Sequence, residues 1–436
     1  MNKSAVRSWI MYDWANSAYS TTVLAAVLPI FYSSVAAQGL SDNLAASYLA
    51  YTHAIGMALV AVISPLLGSI ADLSGRKTTF LAGFALLGMI STAGFALVGP
   101  GDWLLASAML VVSTVGFSGS LTFYDAMLPD LVPSRHRDDI SAKGYAAGYV
   151  GGGLLLAVNL LMIQQPQRFG LGDELAGTRL SFLTVGVWWL LFSLPVMRKV
   201  PNLPKQANGM TAGGYLRAAA QRIGGTWKDV RRYPQLFRFI AAFWFYNDGI
   251  NTIILMATIY GTTLGIGTSD LILALLITQF VGFPSTILLG KAAARLGPKR
   301  VLIASLLTYV LIVLLGFGMT SAPHFYILAV MVGLVQGGSQ SISRSMISDL
   351  MPPHRTGEFF GFVNITSKFS SIFGPFAFGL IGQLTGNPRL GILSLLLFFA
   401  LGIAVVAKLN LNQGKADALR HGGGDGKEGA LPQATA

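Results

Sequence analysis

Runs of about twenty predominantly apolar residues, the length a helix needs to cross the hydrocarbon core of a bilayer, recur along almost the whole chain. Read against turn signals, they fall near 8–35, 45–70, 78–99, 102–128, 141–163 and 179–200, then near 236–262, 268–290, 300–321, 324–348, 358–384 and 388–409. The bilayer core holds no water to satisfy backbone N–H and C=O groups, so each run has to be a helix. The fold expected is therefore an all-α membrane protein with twelve transmembrane helices. Composition agrees: 53% of residues are hydrophobic and 11% charged, where a soluble domain carries about 25% charged residues.

Several chemistries are excluded early. The chain has no cysteine, which removes disulfides and thiol catalysis. Its five histidines are scattered, none in a metal-binding spacing, and no nucleophile–base pair stands out. No enzyme, metal or cofactor is expected. Lys3 and Arg7 precede the first apolar run in the manner of a signal peptide. That run continues for a full span with no small-residue cleavage site, so a retained helix is expected.

The runs divide as six plus six. An N-terminal bundle over 1–200 and a C-terminal bundle over 236–410 flank a basic linker over 201–235, and 411–436 reads as a disordered tail. Cations fix the expected orientation. Only Arg168, Arg179 and Arg389 fall in loops on one side, leaving 27 of the 30 Lys and Arg (30 − 3) on or near the other. By the positive-inside rule both termini are cytoplasmic, and a bacterial inner membrane is the expected location. The linker interleaves Lys205, Arg217, Arg222, Lys228, Arg231 and Arg232 with Tyr215, Leu216, Ile223, Trp227 and Val230. It reads as a short amphipathic helix on anionic lipid headgroups and not as a nucleic-acid contact. The bilayer and a small-molecule solute are the expected partners, and the protein is expected to act as a monomer.

The two halves repeat one another. Gly68-x3-Asp72-x2-Gly75-Arg76-Lys77 joins spans two and three, and Gly290, Gly297, Lys299 and Arg300 recur between spans eight and nine, with Ala294 in place of the acid. Asp130-Leu131-Val132-Pro133 follows span four, as Asp349-Leu350-Met351-Pro352 follows span ten. Asp13 is followed at +3 and +4 by Asn16 and Ser17, and Asp248 by Asn251 and Thr252, offsets that share one helical face.

A twofold six-helix repeat with a basic central loop is the layout of major facilitator transporters, and GSIADLSGRK is similar to that superfamily's loop signature. MYDWANSAYSTTVLAAVLPIFY, RRYPQLFRFIAAFWFYNDGINTI and GGSQSISRS followed by EFFGF narrow the resemblance. Together they resemble the vacuolar amino-acid effluxer-like branch, also called the unknown major facilitator family. In this chain Asp125 stands where that pattern carries Asn, and Ser367-Lys368 where it carries Gly-Lys. The resemblance implies efflux of amino acids, with spans one, four, seven and ten lining a central cavity.

Charge within a span costs about 3 kcal/mol by insertion scales, so the polar residues there are the candidate site. The substrate and ion pathway is read as Asp13, Asn16, Ser17, Tyr246, Asn247, Asp248, Asn251, Gln336, Gln340, Asn364 and Lys368. Carboxylates, amides and cations together suit a zwitterion, and a buried carboxylate, Asp248 or Asp13, could carry a coupling proton. The cytoplasmic gate is read as Asp72, Arg76, Asp125, Arg344 and Glu358. The repeat sets Asp125 opposite Arg344, a pair expected to meet when the gate closes. Alternatives stand beside these readings: Asp13 capping its helix or pairing with Arg7, and Arg344 with Asp349 and Asp125 with Arg135 as local pairs. Gly144, Gly148 and Gly152 share a face for close helix packing. A sugar, peptidoglycan-fragment or drug transporter, or a transporter-like receptor, is the alternative function.

Overall fold

The computed structural model describes residues 2–40, 42–202, 214–215, 217–218, 232–263, 266, 268–385 and 388–422. The first six helices are α1 (Lys3–Ala36), α2 (Asp42–Ser74), α3 (Lys77–Leu97), α4 (Trp103–Leu131), α5 (Ser134–Gln164) and α6 (Glu174–Lys199). The second six are α7 (Pro234–Thr263), α8 (Thr268–Leu296), α9 (Pro298–Phe317), α10 (Ala322–Leu350), α11 (Thr356–Thr385) and α12 (Arg389–Ala407). Among the described residues ten of these are long and apolar enough to cross a membrane; α7 and α11 add two helices of 30 residues each.

Each half has its own apolar core, one drawn almost wholly from α1–α6 and one from α7–α12. Large apolar side chains such as Val62, Ile90, Leu97 and Leu384 point outward, more than 70% exposed, as lipid-facing surfaces require. Lipid tails are as apolar as leucine, so close packing and hydrogen bonds, not water exclusion, hold such helices together. Glycines supply the closeness. On α5, Gly144, Gly148 and Gly152 seat Asp13, Ser17 and Thr21 of α1, where added Cβ atoms would overlap them.

α1 is regular only to Ala18 and is π-helical over Tyr19–Val27 and Tyr32–Ala36. The Ser20 and Thr21 hydroxyls donate to the Ser17 carbonyl at 3.0 and 2.8 Å, and such back-bonding loosens the regular ladder. The repeat is visible in backbone geometry as well. Gly75 and Gly297 hold the same place in the two copies, and both turn with positive φ, 68° and 93°.

The halves meet along two seams, α2 against α11 and α5 against α8. Gly68 and Gly290, again equivalent, sit in these seams against Gly357 and Ala142. The helix ends around Asp72, Asp130, Ser134, Asp349 and Thr356 gather at one end of the molecule, called basal below. There the tail departs from expectation. Leu411–Gly422 is a helix, α13, docked on the basal end with Ala418 buried, because Lys415, Gly414 and Ala418 find partners on one face. Residues 423–436, and the linker's Lys205, Leu216, Arg222, Ile223, Trp227, Lys228, Val230 and Arg231, lie outside the described residues.

Candidate gate and solute pathway

The basal end is closed around one guanidinium. Arg344, on α10, is 5% exposed and lies 3.3 Å from both Asp13 on α1 and Asp125 on α4. Its Nε donates to Ser141 Oγ and its Nη2 to the Ser141 carbonyl, each at 2.9 Å. The planar group stacks over Tyr145, 4.3 Å from the ring centroid, and over Trp9 and Tyr124 at 4.7 and 5.3 Å. All these partners belong to the first half. Tyr124 donates to Asp13 at 2.7 Å, and Trp9 Nε1 donates to the Tyr124 carbonyl at 2.9 Å. A buried charge is tolerable only when paired and hydrogen-bonded; the fork and flat face of arginine allow both at once.

The expected Asp125–Arg344 approach is thus present, and the local alternatives are not what the structure pairs. Asp349 is held by Arg137 at 2.7 Å and Lys415 at 2.5 Å. Asp13 does not cap its helix, since Asn2 does so through Ser4 and Ala5. It sits instead with Asp125 around the buried Arg344.

A second lock sits at the α2/α11 seam. Asp72 accepts the backbone N–H groups of Gly357 and Glu358 at 3.1 and 3.0 Å, an anion on a helix N-terminus. Lys77 bridges Asp72 at 3.2 Å and Asp130 at 2.7 Å, and donates to Thr356 Oγ1 at 2.6 Å. Two of the expected gate residues are placed differently from Asp72. Arg76 is exposed at the turn, and the next residue, Lys77, does the latching because it points into the seam. Glu358 reaches Asp72 through its N–H, while its carboxylate pairs with Arg355, in the turn just before the helix, at 2.5 Å.

The pathway residues separate into two groups. In the second half Asn247 accepts from Gln340 at 3.1 Å, and the Tyr246 and Ser343 hydroxyls are 2.6 Å apart, joining α7 to α10. Asp248 Oδ2 accepts the Gly374 N–H of α11 at 2.9 Å. Its Oδ1 is buried with no hydrogen-bond partner among the described residues. Gln336, Thr252 and Thr278 lie in the wall of a mostly apolar cavity of about 130 Å³ with Met256, Tyr260 and Phe378. Asn251 is half-buried. On α1 the arrangement differs: Asn16 Nδ2 donates to the Tyr12 carbonyl at 2.8 Å within its own helix, and Ser17 packs against Gly148 of α5. The side chains of Asn364 and Lys368 lie outside the described residues. Sequence reasoning missed Lys77, Ser141, Arg137 and Lys415. Of these, Lys77 could have been found, since it stands in the recurring turn.

A family model described as vacuole effluxer Atg22-like matches residues 1–419. The chain belongs to the Atg22-like family. Among its relatives is the uncharacterized MFS-type transporter YxiO of Bacillus subtilis strain 168, 38% identical over 405 residues, covering 92% of this chain and 93% of that protein. Autophagy-related protein 22 of Eremothecium gossypii is 26% identical over 406 residues, covering 85% and 79%. The backbone is similar to the proton:xylose symporter XylE, with a TM-score of 0.71 at 17% identity over 93% of this chain and 94% of that one, which places this Atg22-like protein in the major facilitator fold. It is a multi-pass secondary transporter, not an enzyme.

Proposed function

We propose that this Atg22-like transporter moves a zwitterionic metabolite, an amino acid first among candidates, by proton-coupled alternating access across a bacterial cytoplasmic membrane. Both termini then lie in the cytoplasm and the basal end is the cytoplasmic gate. The observation that carries the reading is the buried Arg344 lock. Each of its close polar partners comes from the opposite half, so rocking one half against the other breaks the whole set together, as a bistable gate requires. Asp248 supports the coupling role: a carboxyl oxygen buried from water and without a hydrogen-bond partner among the described residues is a place for a proton to load. The amides of Asn247 and Gln340 beside it suit a polar solute.

The test is flux in proteoliposomes under an imposed pH gradient, after a thermal-shift screen for stabilising solutes. An amino acid is expected to raise the melting temperature and to accumulate against its own gradient, with accumulation lost in Asp248→Asn and exchange retained. Stabilisation and accumulation of sugars alone would overturn the solute class, and equal flux with and without the pH gradient would overturn the coupling.

A further inference from the structure

The repeat says where the second seam should be latched, and there its own residues are missing. At the first seam Asp72, Lys77 and Asp130 act together. Their counterparts are Ala294, Lys299 and Asp349. Ala294 has no carboxylate, and Lys299 is turned away: its Nζ donates to the carbonyls of Ala407 and Leu409 at 2.7 and 2.8 Å, at the end of α12. Asp349 is held nonetheless. Arg137 and Ser134 of the first half donate to it at 2.7 and 2.9 Å, and Lys415 of α13 reaches it at 2.5 Å. Lys415 Nζ also lies 3.3 Å from Ser134 Oγ. One ammonium therefore touches both halves, as Lys77 does at the first seam.

α13 is seated rather than draped. Ala418 is 2% exposed, and Gly414 lies so close to Leu350 and Gln235 that an added Cβ would overlap both. Gln235 accepts from the Asn410 N–H and donates to Gln413 Oε1, each at 3.1 Å. The hold of Lys299 on the Leu409 carbonyl fixes where the chain leaves α12, and so where α13 begins.

We propose that α13 is a clip on the closed gate, with Lys415 supplying from the tail the latch lysine that the second half's own turn does not. The helix rests on the second half, and Lys415 alone reaches across, to Ser134; that contact exists only in the basally closed arrangement, because Ser134 and Asp349 part when the halves rock. It therefore biases a two-state equilibrium toward closure, and release of the helix frees the gate. The proposal rests on the rocking motion proposed above, whatever the solute.

The absence of cysteine gives a clean test by spin-label distances in nanodiscs. Labels at Arg135→Cys and Arg295→Cys, exposed sites on the two halves, report the basal separation. Lys415→Ala is expected to raise the long-distance population relative to the short one by roughly fivefold, the scale of one hydrogen bond from the ammonium to Ser134, and Lys415→Glu by more. Arg198→Glu, an exposed cation at the end of α6, is expected to change nothing. If Arg344→Ala lengthens the distance while both Lys415 variants match the parent, or if Arg198→Glu acts as strongly as Lys415→Glu, the clip is wrong and rocking stands. A distance that none of the variants moves overturns rocking and the clip together. Should Lys415→Glu not fold, the alanine variant decides.

Discussion

Arg344 concentrates the gate's energetics in one side chain. It is buried between two carboxylates and three rings, so Arg344→Ala leaves Asp13 and Asp125 facing each other without a cation. Breaking a buried pair in this way costs about 3–5 kcal/mol, and a lower melting temperature with loss of flux is expected. Arg344→Lys keeps the charge but loses the donation to Ser141 and the flat stack on Tyr145, and should recover little of either. The exchange Asp125→Arg with Arg344→Asp should restore flux only in part, because Asp13 would then face a second acid across the seam. Flux equal to that of the single variants would show that Asp13, and not Asp125, is the arginine's main partner. The pairing of 125 with 344 was legible because the repeat aligns Asp130 with Asp349. The role of Ser141 was not, since a serine in an apolar run gives no sign of which carbonyl or cation it will meet across 203 residues of sequence.

At the scale of helices, the seams depend on residues without side chains. A Cβ on Gly68 would run into the Gly357 carbonyl, and one on Gly361 would lie 2.7 Å from both Pro65 Cα and the Ser64 carbonyl oxygen. Backbone cannot yield as a flexible side chain can, so Gly68→Ala should separate α2 from α11 at a cost of about 1–3 kcal/mol. Gly83→Ala, with open space around its site, should leave both melting temperature and flux unchanged. A Gly68→Ala protein as stable and active as the parent would refute this account of the seam. The helices themselves were legible from the length of the apolar runs. What the runs hid was the π-helical half of α1, because its apolar residues read the same whether the turn closes on the fourth carbonyl or the fifth. They hid the docking of α13 too: a short, Gly-containing, mixed-charge tail resembles a disordered one until Asp349 and Leu350 are placed beside it.

For the molecule as a whole, the repeat conveyed the twofold plan and even the equivalent turns at Gly75 and Gly297. It could not convey how far the two copies have diverged. The first-seam latch is sealed, with Lys77 and Asp72 side chains 8% and 2% exposed, while Lys415 on the other side is 39% exposed. Dissolved ions weaken the pairs they can reach and spare those they cannot. Raising ionic strength should therefore loosen the α5/α8 side first, and the Lys415→Ala protein should respond to salt less than its parent does. The rocking proposed above then has a sequence in time. One edge lets go early and the other serves as a pivot, so the gate swings like a door on a post instead of parting evenly down the middle.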